Sequence, residues 1–190
     1  MTFRVPMVSL DRAKEVGAMA GLPPHRTTSN AFRVVANNPG VAKVAFAQLT
    51  QLLEHNTLDF RLRELMIMRI GWLSGSGYEW TQHWHIAVKG GVPAEDILAV
   101  RDWRKSDRLG ATDRAILAAV DECLNGGSMS DATWADVAKH VPDPAHQVEF
   151  VVAMGNWLAF SMLFRNLRIP LPDDMTIWPP DGVPSPNANG

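Results

Sequence analysis

Residues 61–97 read RLRELMIMRIGWLSGSGYEWTQHWHIAVKGGVPAEDI. Asp59 stands just before this stretch and can cap a helix running to about Leu73. The glycine-rich run GWLSGSG, residues 71–77, holds a turn. A second helix starts near Ser76 or Tyr78 and reaches Lys89, where Gly90 and Gly91 close it. Pro93 suits the first helical position of a third, with Glu95 and Asp96 in its first turn. The reading is helix, tight turn, helix.

The helical period continues on both sides. Residues 7–19 form a weakly amphipathic helix ended by Gly21 and the Pro23–Pro24 pair. Asn30 can cap a short helix through Val35, closed by Asn38-Pro39-Gly40. Residues 41–55 carry apolar side chains at 41, 44, 45, 49, 52 and 53, one buried face. Further helices follow from Thr112, from the Ser130–Thr133 region to about Lys139, and over 145–167. No segment shows the period of two that marks a strand, so the fold class is all-α. From Ile169 onward six prolines exclude regular structure, leaving a Pro-rich C-terminal arm over 171–190. In it Ile177 and Trp178 are expected to dock, Trp178 on a neighbouring subunit, before the SPNANG tail frays. We expect one domain over residues 1–170, with its core at about 40–170.

Composition narrows the function. A chain of 190 residues with 46% hydrophobic and 20% charged residues is globular rather than disordered. A formal charge of −2 gives no footprint for nucleic acid, and no polybasic run suits a membrane surface. One cysteine, Cys123, rules out an intramolecular disulfide and a thiolate metal site. The first 16 residues lack the pattern of a signal peptide, so the expected location is cytoplasmic. Residues 150–164, FVVAMGNWLAFSMLF, are apolar almost all round but short of the roughly 20 needed to span a bilayer. A core or interface helix is the expected role, and with it a homo-oligomer.

The chemistry sits at the turn. On a helix Glu79 and His83 are i and i+4 and share a face. Ser76 stands where its hydroxyl can cap that helix. Glu64 lies among Leu62, Leu65, Met66, Ile67 and Met68, so it is either on a narrow polar stripe or buried with a partner, Arg61 or Arg69. If Glu64 faces the second helix, two carboxylates flank one imidazole, an arrangement suited to general acid–base work near neutral pH. A surface Glu79–His83 pair is the plain alternative. His83 and His85 are two residues apart and point about 200° apart on a helix, so they do not share a metal ion. Trp72, Trp80 and Trp84 pack the core or line an apolar pocket.

Residues 61–97 resemble the carboxymuconolactone decarboxylase family, whose other main branch is alkyl hydroperoxidase D. The likeness extends more loosely over most of residues 40–170. In the hydroperoxidase branch the motif is Glu, eleven residues, Cys, two residues, Cys, three residues, His. Glu64, Ser76, Glu79 and His83 fall on that spacing in order, with both sulfurs replaced. Thiol peroxidase chemistry needs a low-pKa thiolate and a resolving thiol, and Cys123 is alone and some 40 residues further on. The resemblance to the decarboxylase branch implies acid–base groups with no metal or organic cofactor, an all-helical fold, and trimers or hexamers.

The expected function is a cofactor-free lyase or isomerase acting on a small organic acid, lactone or enolisable carbonyl compound. His83 is the principal proton shuttle, Glu79 orients it, and Glu64 is a second acid–base or charge partner. Ser76 and Tyr78 contact substrate. Arg69 binds a substrate carboxylate or pairs with Glu64. The alternatives are a degenerate hydroperoxidase-type oxidoreductase and a non-catalytic oligomer that binds a small ligand.

Overall fold

Short polar side chains start most of the helices. Ser9 accepts from the Arg12 N–H at the head of α1 (Leu10–Ala20), and Ser29 from Phe32 N–H before α2 (Asn30–Val35). Asn38 caps α3 (Pro39–Glu54), Asp59 caps α4 (Phe60–Ser74), and Ser76 caps α5 (Gly77–Lys89). Each side-chain oxygen satisfies a backbone donor that the first turn leaves free. Then come α6 (Ala94–Ala99), α7 (Ala111–Gly126), α8 (Asp131–His140) and α9 (Pro144–Leu167). The computed structural model describes residues 4–179 and 181–187, and among the described residues there is no β-strand. All nine expected helices form.

The chain divides into two compact units. The first joins the N-terminal 56 residues to 162–176. Here α1 and α2 pack on α3, and Phe32 meets Phe46 edge-to-face at 4.8 Å. Asn30 donates to the carbonyls of Pro170 and Leu171, which ties the chain after α9 to α2.

The second unit joins residues 57–161 to 177–190 and holds the residues of interest. Its centre is α4, buried continuously from Arg63 to Trp72. Around it lie α5, α7 and the segment after α6, with Leu65, Met68, Trp80, Trp84, Ile97 and Leu117 in one core cluster. Gly71 lets α4 and α5 approach closely. A Cβ there would lie 3.2 Å from the Trp80 backbone nitrogen and 3.6 Å from the Glu79 Cβ. Because α4 has no solvent face along this stretch, its three charged side chains, Arg63, Glu64 and Arg69, need partners inside the protein.

One local expectation is corrected. Pro93 caps α6 rather than occupying its first helical position, and α6 gives way after Ala99 to a 3₁₀ turn over Val100–Asp102. The Val100 and Arg101 carbonyls accept from Arg69 Nη1, and that tie replaces the next helical turn. The arm makes hydrogen bonds along its own chain, while Ile177 and Trp178 keep exposed side-chain surface. Trp178 N–H donates to Thr81 Oγ1, Ser185 Oγ–H to the Trp72 carbonyl, and Asn187 Nδ2–H to the Leu73 carbonyl. The start of the SPNANG segment is therefore held against the end of α4, and its last three residues lie outside the described residues. By length and composition α9 could cross a membrane, while 44% of its most apolar window is buried in the structure.

Candidate active site

Burial decides the state of the α4–α5 cluster. Glu64 is fully buried, and Glu79 and His83 are each 4% exposed, so the plain surface pair does not describe them. Helical spacing puts Glu79 and His83 on the inner face of α5, against α4. His83 Nδ1–H donates to Glu64 Oε2 at 2.7 Å. The Glu79 carboxylate lies at the other ring nitrogen, Oε2 to Nε2 at 3.5 Å. Two carboxylates thus flank one imidazole.

Two partners were not anticipated. Arg63, adjacent to Glu64, donates through Nε and Nη2 to Glu64 Oε1 at 3.0 and 2.8 Å. Trp157, on α9, donates its indole N–H to His83 Nε2 at 3.0 Å. The one local signal for Arg63 is a second charge on an apolar helix. The signal for Trp157 is weaker: a buried indole N–H seeks an acceptor, and sequence does not say which.

The indole group can only donate, so His83 Nε2 must accept with its lone pair and the ring proton sits on Nδ1. The geometry thereby assigns a neutral Nδ1–H tautomer with Nε2 capped. Burial favours the neutral imidazole, but the charge and hydrogen bond of Glu64, with the Glu79 carboxylate adding, outweigh it and raise the His83 pKa. The Trp157 N–H acts in the opposite sense, because a proton on Nε2 would face it. Burial likewise raises the Glu64 pKa, but His83 and Arg63 more than compensate and lower it, so Glu64 stays ionised. Burial dominates at Glu79, where the nearby Glu64 charge adds to it and His83 opposes, and its pKa is pushed up to about 7. Glu79 Oε2 thus stands 3.5 Å from His83 Nε2 with its carboxyl pushed toward the neutral form.

Of the residues expected to contact substrate, Ser76 is a buried helix cap whose Oγ accepts from Glu79 N–H at 3.5 Å. Tyr78 is half-buried in the first turn of α5. Arg69 is not in the cluster, and the expected pairing with Glu64 does not form. Its Nε donates to Asp121 Oδ1 at 2.6 Å, and Nη1 to the Val100 and Arg101 carbonyls. Asp121 also accepts from Trp103 Nε1 and Arg104. Arg61 instead bridges Asp96 and Asp113. Among the described residues, no group of three or more His, Cys, Asp or Glu side chains could hold a metal ion. Cys123 is half-buried on α7 with its thiol pKa raised by burial and by Glu122, the opposite of an activated thiolate.

Beside the cluster lies a cavity of about 280 Å³. It is lined by Gly71, Trp72, Ser76 and Trp80 of α4 and α5, by Arg101, and by Ile177, Pro179, Val183, Pro184 and Ser185 of the arm. Ser76 and Trp80 of α5 line it, while Glu64, Glu79 and His83 do not.

Comparison with known proteins finds the resemblance over the region that holds the cluster. Residues 39–122 match the model of the carboxymuconolactone decarboxylase family. An uncharacterised peroxidase-related protein from Silicibacter sp. TM1040 superposes with a TM-score of 0.72 at 13% identity, over 90% of this chain and 91% of that one. A peroxidase-related protein from Ralstonia eutropha JMP134, described as an alkylhydroperoxidase AhpD core, gives 0.68 at 17% identity, over 90% and 93%. The debrominase Bmp8 gives 0.69 at 14% identity, over 91% and 94%. Comparison with curated proteins gives no match. The chain thus carries the match to the carboxymuconolactone decarboxylase family over residues 39–122, on the helical fold of the AhpD-like proteins, with Ser76 and Glu79 where the hydroperoxidase motif has its cysteines.

Proposed function

We propose that the protein is a lyase or isomerase that works by general acid–base catalysis, without a cofactor, on a small organic acid, lactone or enolisable carbonyl compound. The observation that supports this most is the Arg63–Glu64–His83–Glu79 chain, capped by Trp157. Both nitrogens of His83 are engaged inside the protein. Glu79 therefore takes the role of the group that exchanges a proton with substrate, and His83 becomes the residue that holds and tunes it. As a base, Glu79 removes a proton α to a carbonyl. As an acid, it returns that proton to another carbon of the enolate, or protonates the carbanion left when CO₂ departs. A carboxyl group with a pKa near the working pH suits both directions. Ser76 fixes the first turn of α5, on which Glu79 stands.

Redox chemistry of the hydroperoxidase kind has less support, because neither motif cysteine is present and Cys123 is not activated. That the debrominase Bmp8 shares the fold fits a scaffold open to more than one chemistry. We further infer a cytoplasmic homo-oligomer, a trimer or hexamer. Val148, Val151, Val152 and Met162 line an exposed apolar stripe on α9, 43–66% exposed, for which burial between subunits is the natural use.

The test is deuterium exchange at carbon, followed by NMR in heavy water, for a panel of small 2-oxo acids, unsaturated acids and lactones. The wild-type protein is expected to exchange the acidic C–H of at least one class without added thiol or metal. Glu79→Gln is expected to slow this by about 10²–10⁴-fold while remaining folded. Exchange at an undiminished rate in Glu79→Gln, or thiol-dependent peroxide turnover lost in Cys123→Ser, would overturn the proposal.

A further inference from the structure

The C-terminal arm is held where α4 turns into α5, and polar ties do most of the holding. Trp178 N–H donates to Thr81 Oγ1 on α5. Arg101 Nη1 donates to Asp181 Oδ2 at 2.6 Å. Ser185 Oγ–H and Asn187 Nδ2–H donate to the Trp72 and Leu73 carbonyls, in the last turn of α4. A helix end leaves such carbonyls outside its own ladder, so the arm caps α4 with residues 113 and 114 positions further along the chain. These ties bracket Gly75, the left-handed residue at which α4 ends. The apolar hold is slight by comparison. Ile177 is 61% exposed, Val183 51% and Trp178 37%, so each leaves much of its surface in water.

We propose that the arm is a releasable strap with the Arg101–Asp181 ion pair as its latch. With the pair closed, the arm covers Trp72 and Trp80 and clamps the α4–α5 turn; with the pair open, it lifts from both. The inference concerns the arm alone and stands whether or not Glu79 is the acid–base group. Three features carry it. The latch is the charged member of the four ties, and its fixed half is preset. The Arg101 guanidinium carbon lies 4.9 Å from the Trp72 ring centre and 5.1 Å from that of Trp80, which hold it in place when the arm leaves. Its moving half is open to solvent: the Asp181 side chain is 36% exposed, so salt reaches the pair. The arm also covers something. Ile177, Pro179 and Val183 line one side of the cavity and the two indoles the other, with Trp72 and Trp80 only 8% and 6% exposed. Release uncovers those indoles and frees the Trp72 and Leu73 carbonyls from the arm, which loosens the turn that sets Glu64 against His83. A segment tied by a few hydrogen bonds and little apolar burial opens at far lower cost than the whole protein unfolds.

The test is amide hydrogen exchange by mass spectrometry on the full chain, with acrylamide quenching of tryptophan fluorescence beside it. Quenching is read in a Trp178→Phe background, so that the arm's own indole does not contribute; the Trp178 tie is a backbone one and survives. Raising salt from about 0.05 M to about 1 M is expected to speed exchange over residues 177–187 and over the turn at 71–78 by about threefold or more. Exchange in α7 is expected to stay unchanged, which marks the opening as local. Asp181→Asn is expected to show the faster exchange at low salt and to lose the salt response. Asp181→Glu, which keeps the charge, is expected to retain that response. Quenching is expected to rise in step with exchange. A wild-type arm indifferent to salt would overturn the latch, as would an Asp181→Asn with wild-type protection. Faster arm exchange with unchanged quenching would overturn the cover. Failure of the acid–base reading is seen separately, in carbon exchange, and moves neither signal.

Discussion

Trp157 Nε1 and His83 Nε2, 74 residues apart in sequence, are 3.0 Å apart in the fold. This hydrogen bond sets the chemistry of the cluster. Without it, His83 between two carboxylates would be expected to carry both protons as an imidazolium ion. With it, the second proton is turned toward Glu79. A residue that resembles core packing thereby bears on the protonation of His83.

Trp157→Phe keeps the ring and removes the donor. Imidazole nitrogen NMR is expected to show His83 taking the second proton more readily, with Glu79 correspondingly more acidic. The loss of one buried hydrogen bond is expected to cost about 1–2 kcal/mol in urea unfolding. An unchanged nitrogen spectrum across pH 5–8 would show that the indole does not govern the tautomer.

Glu64→Gln removes the charge that faces both Arg63 and His83. Arg63 would then be buried against a neutral partner, and unfolding free energy is expected to fall on the order of 3 kcal/mol. The His83 pKa is expected to drop, since the nearest charge that raises it is gone. Chemical denaturation and the histidine NMR titration read the two effects separately. A variant as stable as the parent would mean that Glu64 is not the charge partner of Arg63.

The fold and most of the cluster were legible in sequence for physical reasons. Caps such as Asp59 and Ser76 act within three residues, so their effect is local and readable. Glu64, Glu79 and His83 fall together because a single tight turn at Gly75 folds α4 onto α5, and α-helical spacing does the rest. Arg69 was misread because its partner Asp121 lies 52 residues away on α7, where no local rule points, although five residues of helix already turn Arg69 away from Glu64. Trp157 was missed for the same reason. The arm's docking on its own chain rests on hydrogen bonds from Trp178, Ser185 and Asn187, which proline content alone does not foretell.

The raised Glu79 pKa makes stability depend on pH with a definite sign. Between the ordinary value of 4.5 and about 7 the folded protein keeps a proton that the unfolded chain has released. Stability conferred by that proton is complete below pH 4.5 and is lost as pH rises toward and through 7. His83, also raised, acts in the same sense from 6.5 upward. The unfolding free energy is expected to fall by on the order of 2–3 kcal/mol between pH 5 and pH 8, and Glu79→Gln to flatten most of that slope. A wild-type curve that rises over the same range would contradict the assignment.

The exposed stripe on α9 gives a prediction about assembly. Light scattering at micromolar concentration is expected to return a trimer or a multiple of it. The double substitution Val148→Glu with Val152→Glu is expected to shift it to smaller species without loss of helicity, because each places a charge in a contact that excludes water. A monomeric parent protein would remove the oligomer from the account.

The most direct test is a site-resolved titration of Glu79 by carboxyl-carbon NMR, with Glu79→Gln identifying the resonance. The midpoint is expected near 7 in the wild-type protein, with the His83 nitrogen signals moving over the same pH range as the two groups share their proton. A Glu79 midpoint near the ordinary 4.5, with His83 titrating independently of it, would contradict the proton-sharing pair on which the acid–base function depends.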